Sequence, residues 1–303
     1  MKILITGATG LIGSELVPAL QSFGHQIHYL TTSPTKKKYF TDAQSFLWNP
    51  QKNEIDSRCW EGVSVLIHLA GASISIPWTT ANRIKIRQSR IQSTQLLVQS
   101  LKANKQTLDT VVAASGIGLY PSSLDGLYKE SDAAGSDFLS SVVKDWEDVV
   151  NDFASYTSKI IKLRTGLVLS RKGGVLPVLS LPVQMGLGAA FGSGKQGQSW
   201  VHISDLIQLY IFALELDESN VFNAVAPQPV TQNELIKILG LVIKRPVFLP
   251  NIPAFLIRLF LGDRSALVLG SQFVSAAKIQ EKGFLFRYTT LEMALRQLYS
   301  AEK

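Results

Sequence analysis

The sequence predicts an α/β fold, a doubly wound parallel sheet followed by a smaller, mainly helical C-terminal lobe, and three observations predict it. Short continuous apolar runs recur at residues 3–5, 63–69 and 110–114. Segments of helical period lie between and after them, most clearly 78–103 and 136–155. Such alternation indicates βαβ units and a parallel sheet covered on both faces. These runs, and the strand over 159–169, also reach small residues, GATG, LAGA, ASGIG and RTG, at the sheet edge where ligands of such folds bind.

Taken in order, residues 3–5 form the first strand, and Leu11, Ile12, Leu16, Val17 and Leu20 recur at helical spacing behind it. Gly7, Gly10 and Gly13 occupy the turn between the two, where a backbone without Cβ can take positive φ and let another molecule approach. The helix offers that molecule free N–H groups and the positive end of its dipole, so an anion is the natural guest. Residues 26–30 read as the second strand, ending in TTSPTKKK, and 46–48 as a third, closed by Asn49 and Pro50. Strand 63–69, helix 78–103, strand 110–114, helix 136–155 and a strand over 159–169 follow. Beyond about residue 170 the chain turns rich in Gly and Pro, as a long loop and an interrupted helix crossing between lobes would be. A helix over 205–216, a strand over 222–224 and a mostly helical remainder from Thr231 complete the reading. The division expected is a nucleotide-binding domain over 1–170, with later segments returning to it, and a substrate lobe with a helical extension over 171–303.

Composition excludes several classes. Charged residues make up 17% and hydrophobic ones 46%, which is the balance of a folded, enzyme-sized body. The first apolar run is broken too soon by Gly7 and Gly10 to be a signal peptide or membrane span. The single cysteine, Cys59, rules out an intramolecular disulfide framework and a thiolate zinc cluster, so the expected place is cytoplasmic. The net charge of +7 is scattered, with one run at Lys36, Lys37 and Lys38 and no basic stripe carrying aromatic residues, so no nucleic-acid or membrane partner is expected. No His, Asp and Glu cluster has metal-ligand spacing and no GxSxG elbow is present.

The stretch GATGLIG is a GxxGxxG variant of the Rossmann fingerprint, here following a strand and opening a helix as the mechanism requires. With HLAGASI at 68–74, Arg90 in QSR, SDFLSSVVKDWE at 136–147 and RTGLVLSRKGG at 164–174, the chain resembles the atypical, extended short-chain dehydrogenase/reductase superfamily. GLGAAFGSGKQGQSWVHISDL at 186–206 and NAVAPQPVT at 223–231 narrow the resemblance to its epimerase-like family of cell-division-inhibitor-like (SulA-labelled) proteins with a helical C-terminal extension. That resemblance implies NADP(H), held by Gly7, Ala8, Thr9, Gly10, Leu11, Ile12 and Gly13, with Leu69, Ala70 and Gly71 along the adenosine diphosphate. It also implies Arg90 near the phosphates or substrate and Leu167 beside the nicotinamide. The residues agree independently: NAD-preferring sites end their second strand in Asp or Glu, whereas Thr31 and Thr32 are neutral. Lys36 to Lys38 lie within reach of a 2′-phosphate, or form a solvated loop; Thr32 stands where the family usually has an arginine.

Reductases of this superfamily place Tyr and Lys four residues apart on one helix face, the cation lowering the phenol's pKa as hydride moves. Here the helix carries Lys144 with Ser140 four residues before it and no tyrosine. Ser115 and Tyr120, in SGIGLY after the preceding strand, are the remaining catalytic candidates, although a tyrosine after such a loop is more often packing or substrate wall. Glu130 and His202 are candidate substrate contacts; WVHISDL also leads into a helix, with Ser204 or Asp205 a plausible N-cap. Two functions stay open at this point: an NADP-dependent oxidoreductase or epimerase acting on a small carbonyl or nucleotide-sugar substrate, and a catalytically weak NADP(H)-binding regulator linked to cell division. Oligomeric state is not legible.

Overall fold

The computed structural model describes residues 1–300. Strand β1 (Lys2–Thr6) runs into helix α1 (Gly13–Ser22), then β2 (Gln26–Thr31), β3 (Ala43–Asn49), a short β4 (Glu54–Ile55) and β5 (Val65–His68). Helix α2 (Thr80–Ala103), β6 (Thr110–Gly116), α3 (Phe138–Val150), β7 (Ile160–Thr165) and β8 (Leu167–Leu169) follow. The main sheet has the order β11-β7-β6-β5-β1-β2-β3-β4, with β11 at Asn220–Ala224, and every pairing but β3 with β4 is parallel. The chain winds outward from β1 through β2 to β3 and then returns to its other side with β5. The switch of winding direction therefore lies between β1 and β5, where a crevice opens beyond the strand ends.

The sheet is apolar on both faces because both are covered. On one side Leu16, Val17 and Leu20 of α1 pack with Ile3, Ile5 and Tyr29 and with Leu206 and Tyr210 of α5 (Ile203–Glu215). On the other, Leu97 and Leu101 of α2 and Trp146 and Val150 of α3 pack on Leu4, Leu66 and Val111. Burying one such aliphatic side chain contributes about 2 kcal/mol, so each helix is held mainly by its inward stripe.

The expected strand over 159–169 is two strands. It breaks at Gly166, where a Cβ would collide with the Ser199 carbonyl, and β8 leaves the main sheet to pair with β10 (Trp200–His202). A second small ribbon joins β9 (Gly197–Gln198) to β12 (Val230–Thr231). Helices α4 (Leu176–Gln184) and α6 (Gln232–Ile243) and the C-terminal α10 (Leu291–Ser300) enclose a third cluster around Leu169, Trp200, Leu239 and Leu295. Thr231 opens α6 with a full capping box to Glu234. Helices α7 (Ala254–Leu261), α8 (Ala266–Leu269) and α9 (Ala277–Glu281) complete the lobe.

The helix over 203–215 is capped neither by Ser204 nor by Asp205. His202 is its N-cap, its Nδ1 accepting from the Ser204 N–H at 3.1 Å, while Asp205 accepts from the backbone N–H groups of Arg287 and Tyr288.

Candidate active site at the sheet switch point

Of the three glycines in the first turn, only Gly7 has positive φ, at 68°, and a Cβ there would press on the backbone of Leu69 and Ala70 at 2.9 to 3.1 Å. Gly13 is needed for a different reason: a Cβ would lie 2.5 Å from the backbone of Gly7 and Ala8, so the turn closes on itself only if position 13 has no side chain. Gly10 faces outward, its N–H bonded to the Gly7 carbonyl. No side chain caps α1; the N–H groups of Ser14, Glu15 and Leu16 bond back to the Gly10 and Ile12 carbonyls, which leaves those of Leu11, Ile12 and Gly13 in the turn for an external acceptor. This bare, positively polarised turn fits a pyrophosphate.

Across the switch point the HLAG loop is fixed by a buried relay that sequence reasoning missed. Thr6 Oγ1 accepts the N–H groups of Leu69 and Ala70, each at 3.1 Å, and meets His68 Nδ1 at 2.7 Å. With both acceptor positions taken, the Thr6 proton must go to Nδ1, which leaves the His68 proton on Nε2. Nε2 donates to Thr94 Oγ1 at 3.0 Å, and Thr94 donates to the Arg90 carbonyl at 2.8 Å. The only sequence signal was a threonine closing β1 and a histidine closing β5, on neighbouring strands.

Two hollows meet at this loop. The first, about 500 Å³, is lined by Gly7, Thr9, Thr31, Thr32, Lys36, Ala70 and Gly71 together with Trp48 and Lys85. It contains two lysines and no carboxylate. Lys36 reaches over the glycine turn to within 3.4 Å of Thr9 Oγ1. The second, about 420 Å³, is lined by Ile12, Leu69, Arg90, Ser115 and Leu167, by Leu139, Val142, Val143 and Trp146 of α3, and by Ala266, Leu267 and Gly270 of the C-terminal lobe. Arg90 borders it: Nη1 donates to the carbonyls of Ala72 and Ile86, the guanidinium lies 4.9 Å over the Trp146 ring, and Gly71 leaves it room. Burial brings the Arg90 pKa down to about 10, and it stays cationic at neutral pH.

The acid–base candidates fare differently. Lys144 points to solvent and pairs with Asp148 at 2.8 Å, and Ser140 is buried against the Gly118 carbonyl. The pairs of α3 positions four apart that do face the cavity are Leu139 with Val143 and Val142 with Trp146. Neither can pass a proton. Tyr120 is fully buried outside the cavity lining, its O–H donating to Asn223 Oδ1 at 2.7 Å and accepting from Arg164 Nη1 at 2.9 Å. Glu130 is tied to β11, its Oε1 accepting from the Asn223 N–H, and its carbonyl accepting from Arg164. His202 is a buried cap, its Nε2 meeting Gln297 at 2.9 Å. Of the five polar candidates only Ser115 lies on the cavity, and its O–H donates to Glu147 Oε1 at 2.5 Å. Glu147 receives a bidentate grip from Arg164 at 2.8 and 2.9 Å. Burial would raise the Glu147 pKa, but the Arg164 hydrogen bonds and charge outweigh it, and the carboxyl titrates below its ordinary value.

A sequence profile of the NAD dependent epimerase/dehydratase family matches residues 3–224, and one of a domain of unknown function (DUF1731) matches 252–298. The chain belongs to the NAD dependent epimerase/dehydratase family. An epimerase family protein of Staphylococcus aureus is 35% identical over 99% of both chains. The human epimerase family protein SDR39U1, solved with NADPH, is 27% identical and superposes over 99% of both chains with a TM-score of 0.86. A nucleoside-diphosphate sugar epimerase from Corynebacterium glutamicum, 29% identical, superposes with a TM-score of 0.78 over 98% of this chain and 58% of its own. These relatives support the extended dehydrogenase/reductase resemblance and the helical extension, whereas nothing in them supports the SulA, cell-division label. No helix among the described residues is long and apolar enough to cross a membrane, and no cluster of His, Cys, Asp or Glu among them has the geometry of a metal site.

Two outcomes follow from this geometry. Lys144→Ala is expected to leave nucleotide binding and any turnover unchanged, whereas Tyr120→Phe should cost about 1 to 3 kcal/mol in chemical denaturation, because Arg164 and Asn223 each lose a buried partner. His68 and His202 are held neutral by burial, down to about 3 and about 4. A histidine with a depressed folded pKa contributes stability in full above its unfolded value near 6.5 and loses it as pH falls through the folded value. The denaturation midpoint should therefore drop between pH 6.5 and 4, and drop less steeply in His202→Asn; a flat wild-type profile would contradict the neutral, buried assignment.

Proposed function

We propose that the chain is an NADP(H)-binding oxidoreductase or epimerase-like protein of the extended short-chain dehydrogenase/reductase superfamily, acting on a small-molecule substrate in the cytoplasm. In this reading residues 1–170 hold the nucleotide, and the region from 171 closes the substrate side. The observation that carries it is the pair of hollows meeting at the uncapped glycine turn, one with lysines and no carboxylate, the other largely apolar. The adenosine ribose and 2′-phosphate would lie by Thr31, Thr32 and Lys36, the pyrophosphate on residues 7–13 with Arg90 alongside, and the nicotinamide by Leu167. Bound there, the reduced nucleotide supplies a hydride.

The surrounding residues orient and exclude water. Leu139, Val143 and Leu167 make a dry wall, and the Ser115 proton is committed to Glu147. This wall supplies no strong acid. The same observation favours a second reading, a nucleotide-holding protein with weak catalysis, in which the bound NADP(H) serves as a ligand rather than a turned-over reagent.

Lys36→Ala should weaken NADPH binding roughly tenfold and NADH binding far less, the size of one charge-assisted hydrogen bond; equal losses for both nucleotides would move the 2′-phosphate elsewhere. Following NADPH absorbance against a panel of aldehydes, ketones and nucleotide sugars separates the two readings. Saturable consumption supports the oxidoreductase, and binding without consumption supports the holder.

A further inference from the structure

We propose that the second cavity selects a compact, uncharged carbonyl compound or its alcohol and excludes nucleoside-diphosphate sugars, even though the chain shares its family with sugar-nucleotide epimerases. The inference rests on the nucleotide reading above, since it concerns the part of the cavity left beyond the nicotinamide.

A substrate diphosphate carries two negative charges into its site and needs cations or a helix N-terminus to replace its water. Among the described residues lining this cavity, Arg90 is the sole charged side chain. Its Nη1 is occupied by two backbone carbonyls, and its guanidinium borders Gly71, on the side of the first hollow. Nothing cationic lines the far side, which is closed by Ala266, Leu267 and Gly270.

Two arginines do stand near that rim, and both are already committed to holding it shut. Arg83 Nη2 pairs with Asp263 at 2.6 Å, its Nε donates to the Trp78 carbonyl at 3.3 Å, and its guanidinium packs over the rings of Trp78 and Phe138. Arg264 Nη1 donates to the Ser75 carbonyl at 2.9 Å. Together they strap residues 262–265 to the loop that follows the HLAG turn. The cations that would greet a diphosphate instead close an apolar cover over the cavity.

The polar side chains that remain on the lining, Ser115, Thr165, Gln198, Ser199 and Gln272, are all uncharged and suit an uncharged ligand, the Gln198 and Gln272 amides having N–H donors for a carbonyl oxygen. The Ser115 hydroxyl donates its hydrogen bond to Glu147, so to a ligand in the cavity its oxygen can serve only as an acceptor, as for an alcohol O–H. Ser199 is likewise spent, donating to the Gln272 carbonyl and accepting from the Val274 N–H. A volume of about 420 Å³, shared with a nicotinamide ring, leaves beside that ring a space the size of a small ring or short chain.

The test is calorimetry on the full chain in two stages. NADP⁺ is titrated first; absence of binding at this stage would remove the nucleotide reading itself. Protein saturated with NADP⁺ is then titrated with cyclohexanone and benzaldehyde, which cannot accept hydride from the oxidised nucleotide, and separately with UDP-glucose, the adenosine hollow being already filled. The result expected is saturable binding of a carbonyl probe, with UDP-glucose at least tenfold weaker. UDP-glucose binding within tenfold of the better carbonyl probe or more tightly, or neither probe saturating the protein, would overturn the proposal.

Discussion

A Gly13→Ala variant is expected to lose saturable NADP(H) binding and to unfold at clearly lower denaturant than the parent chain. A single methyl group suffices because it would be set 2.5 Å from the Ala8 Cα, the Ala8 carbonyl and the Gly7 carbonyl. These are backbone atoms of the turn itself, which cannot swing aside as a side chain could. Relief requires the turn to open, which costs about 3 kcal/mol in a well-packed setting and moves the N–H groups that face the ligand. Gly10→Ala makes a useful contrast, since its Cβ would approach only the Gly7 carbonyl, at 3.2 Å. That variant should keep the parent's stability and lose affinity alone, because the methyl projects where the proposed reading puts the pyrophosphate. Calorimetric titration with NADPH beside urea denaturation reads both effects, and equal stability losses at the two positions would contradict the distinction.

Removing the Glu147 carboxylate is the second large effect. Glu147 joins α3 to β7 through Arg164, fixes the Ser115 hydroxyl, and lies close to Lys162, whose Nζ donates to its backbone carbonyl at 3.1 Å. Glu147→Leu would leave Arg164 buried without its counter-ion, a loss of about 3 to 5 kcal/mol, whereas the double variant Glu147→Leu with Arg164→Met should recover a good part of it. The pH dependence has a definite sign. The folded carboxyl is depressed below its ordinary value of 4.5, so its contribution is complete above that pH and disappears as pH falls through the lower, folded value. Wild-type stability should therefore fall further below pH 4.5, in addition to the histidine loss at higher pH, and the Glu147→Leu variant should lack that lower limb. A Glu147→Leu protein as stable as the parent would show that the network does not brace the sheet against α3.

Much of this arrangement was legible in the chain. The apolar runs, the glycine turn and the small residues at each strand end express period and steric demand locally, so strands β1, β2, β5 and β6 and the binding edge at their carboxyl ends could be read directly, whereas the strand order that sets the crevice between β1 and β5 could not. The break at Gly166 could not, because it depends on Ser199, which is remote in sequence. The facing of α3 was also beyond a spacing argument. On a helix one position is a rotation of about 100°, so the pair Ser140 and Lys144 misses the cavity, Ser140 turning to the Gly118 carbonyl and Lys144 to solvent, whereas Leu139 and Val143 line it. Tyr120, Glu130 and His202 looked reactive because they are polar residues in unusual company. Their partners, Asn223 at a separation of 103 residues from Tyr120 and Gln297 at 95 from His202, make them braces between elements.

The central claim is that a phosphorylated dinucleotide lies along the uncapped turn, with its 2′-phosphate by Lys36. Parallel calorimetric titrations of the purified chain with NADPH and NADH test it most directly. The account predicts one NADPH per chain, bound at least tenfold more tightly than NADH; no heat from either nucleotide, or tighter binding of NADH, would contradict it.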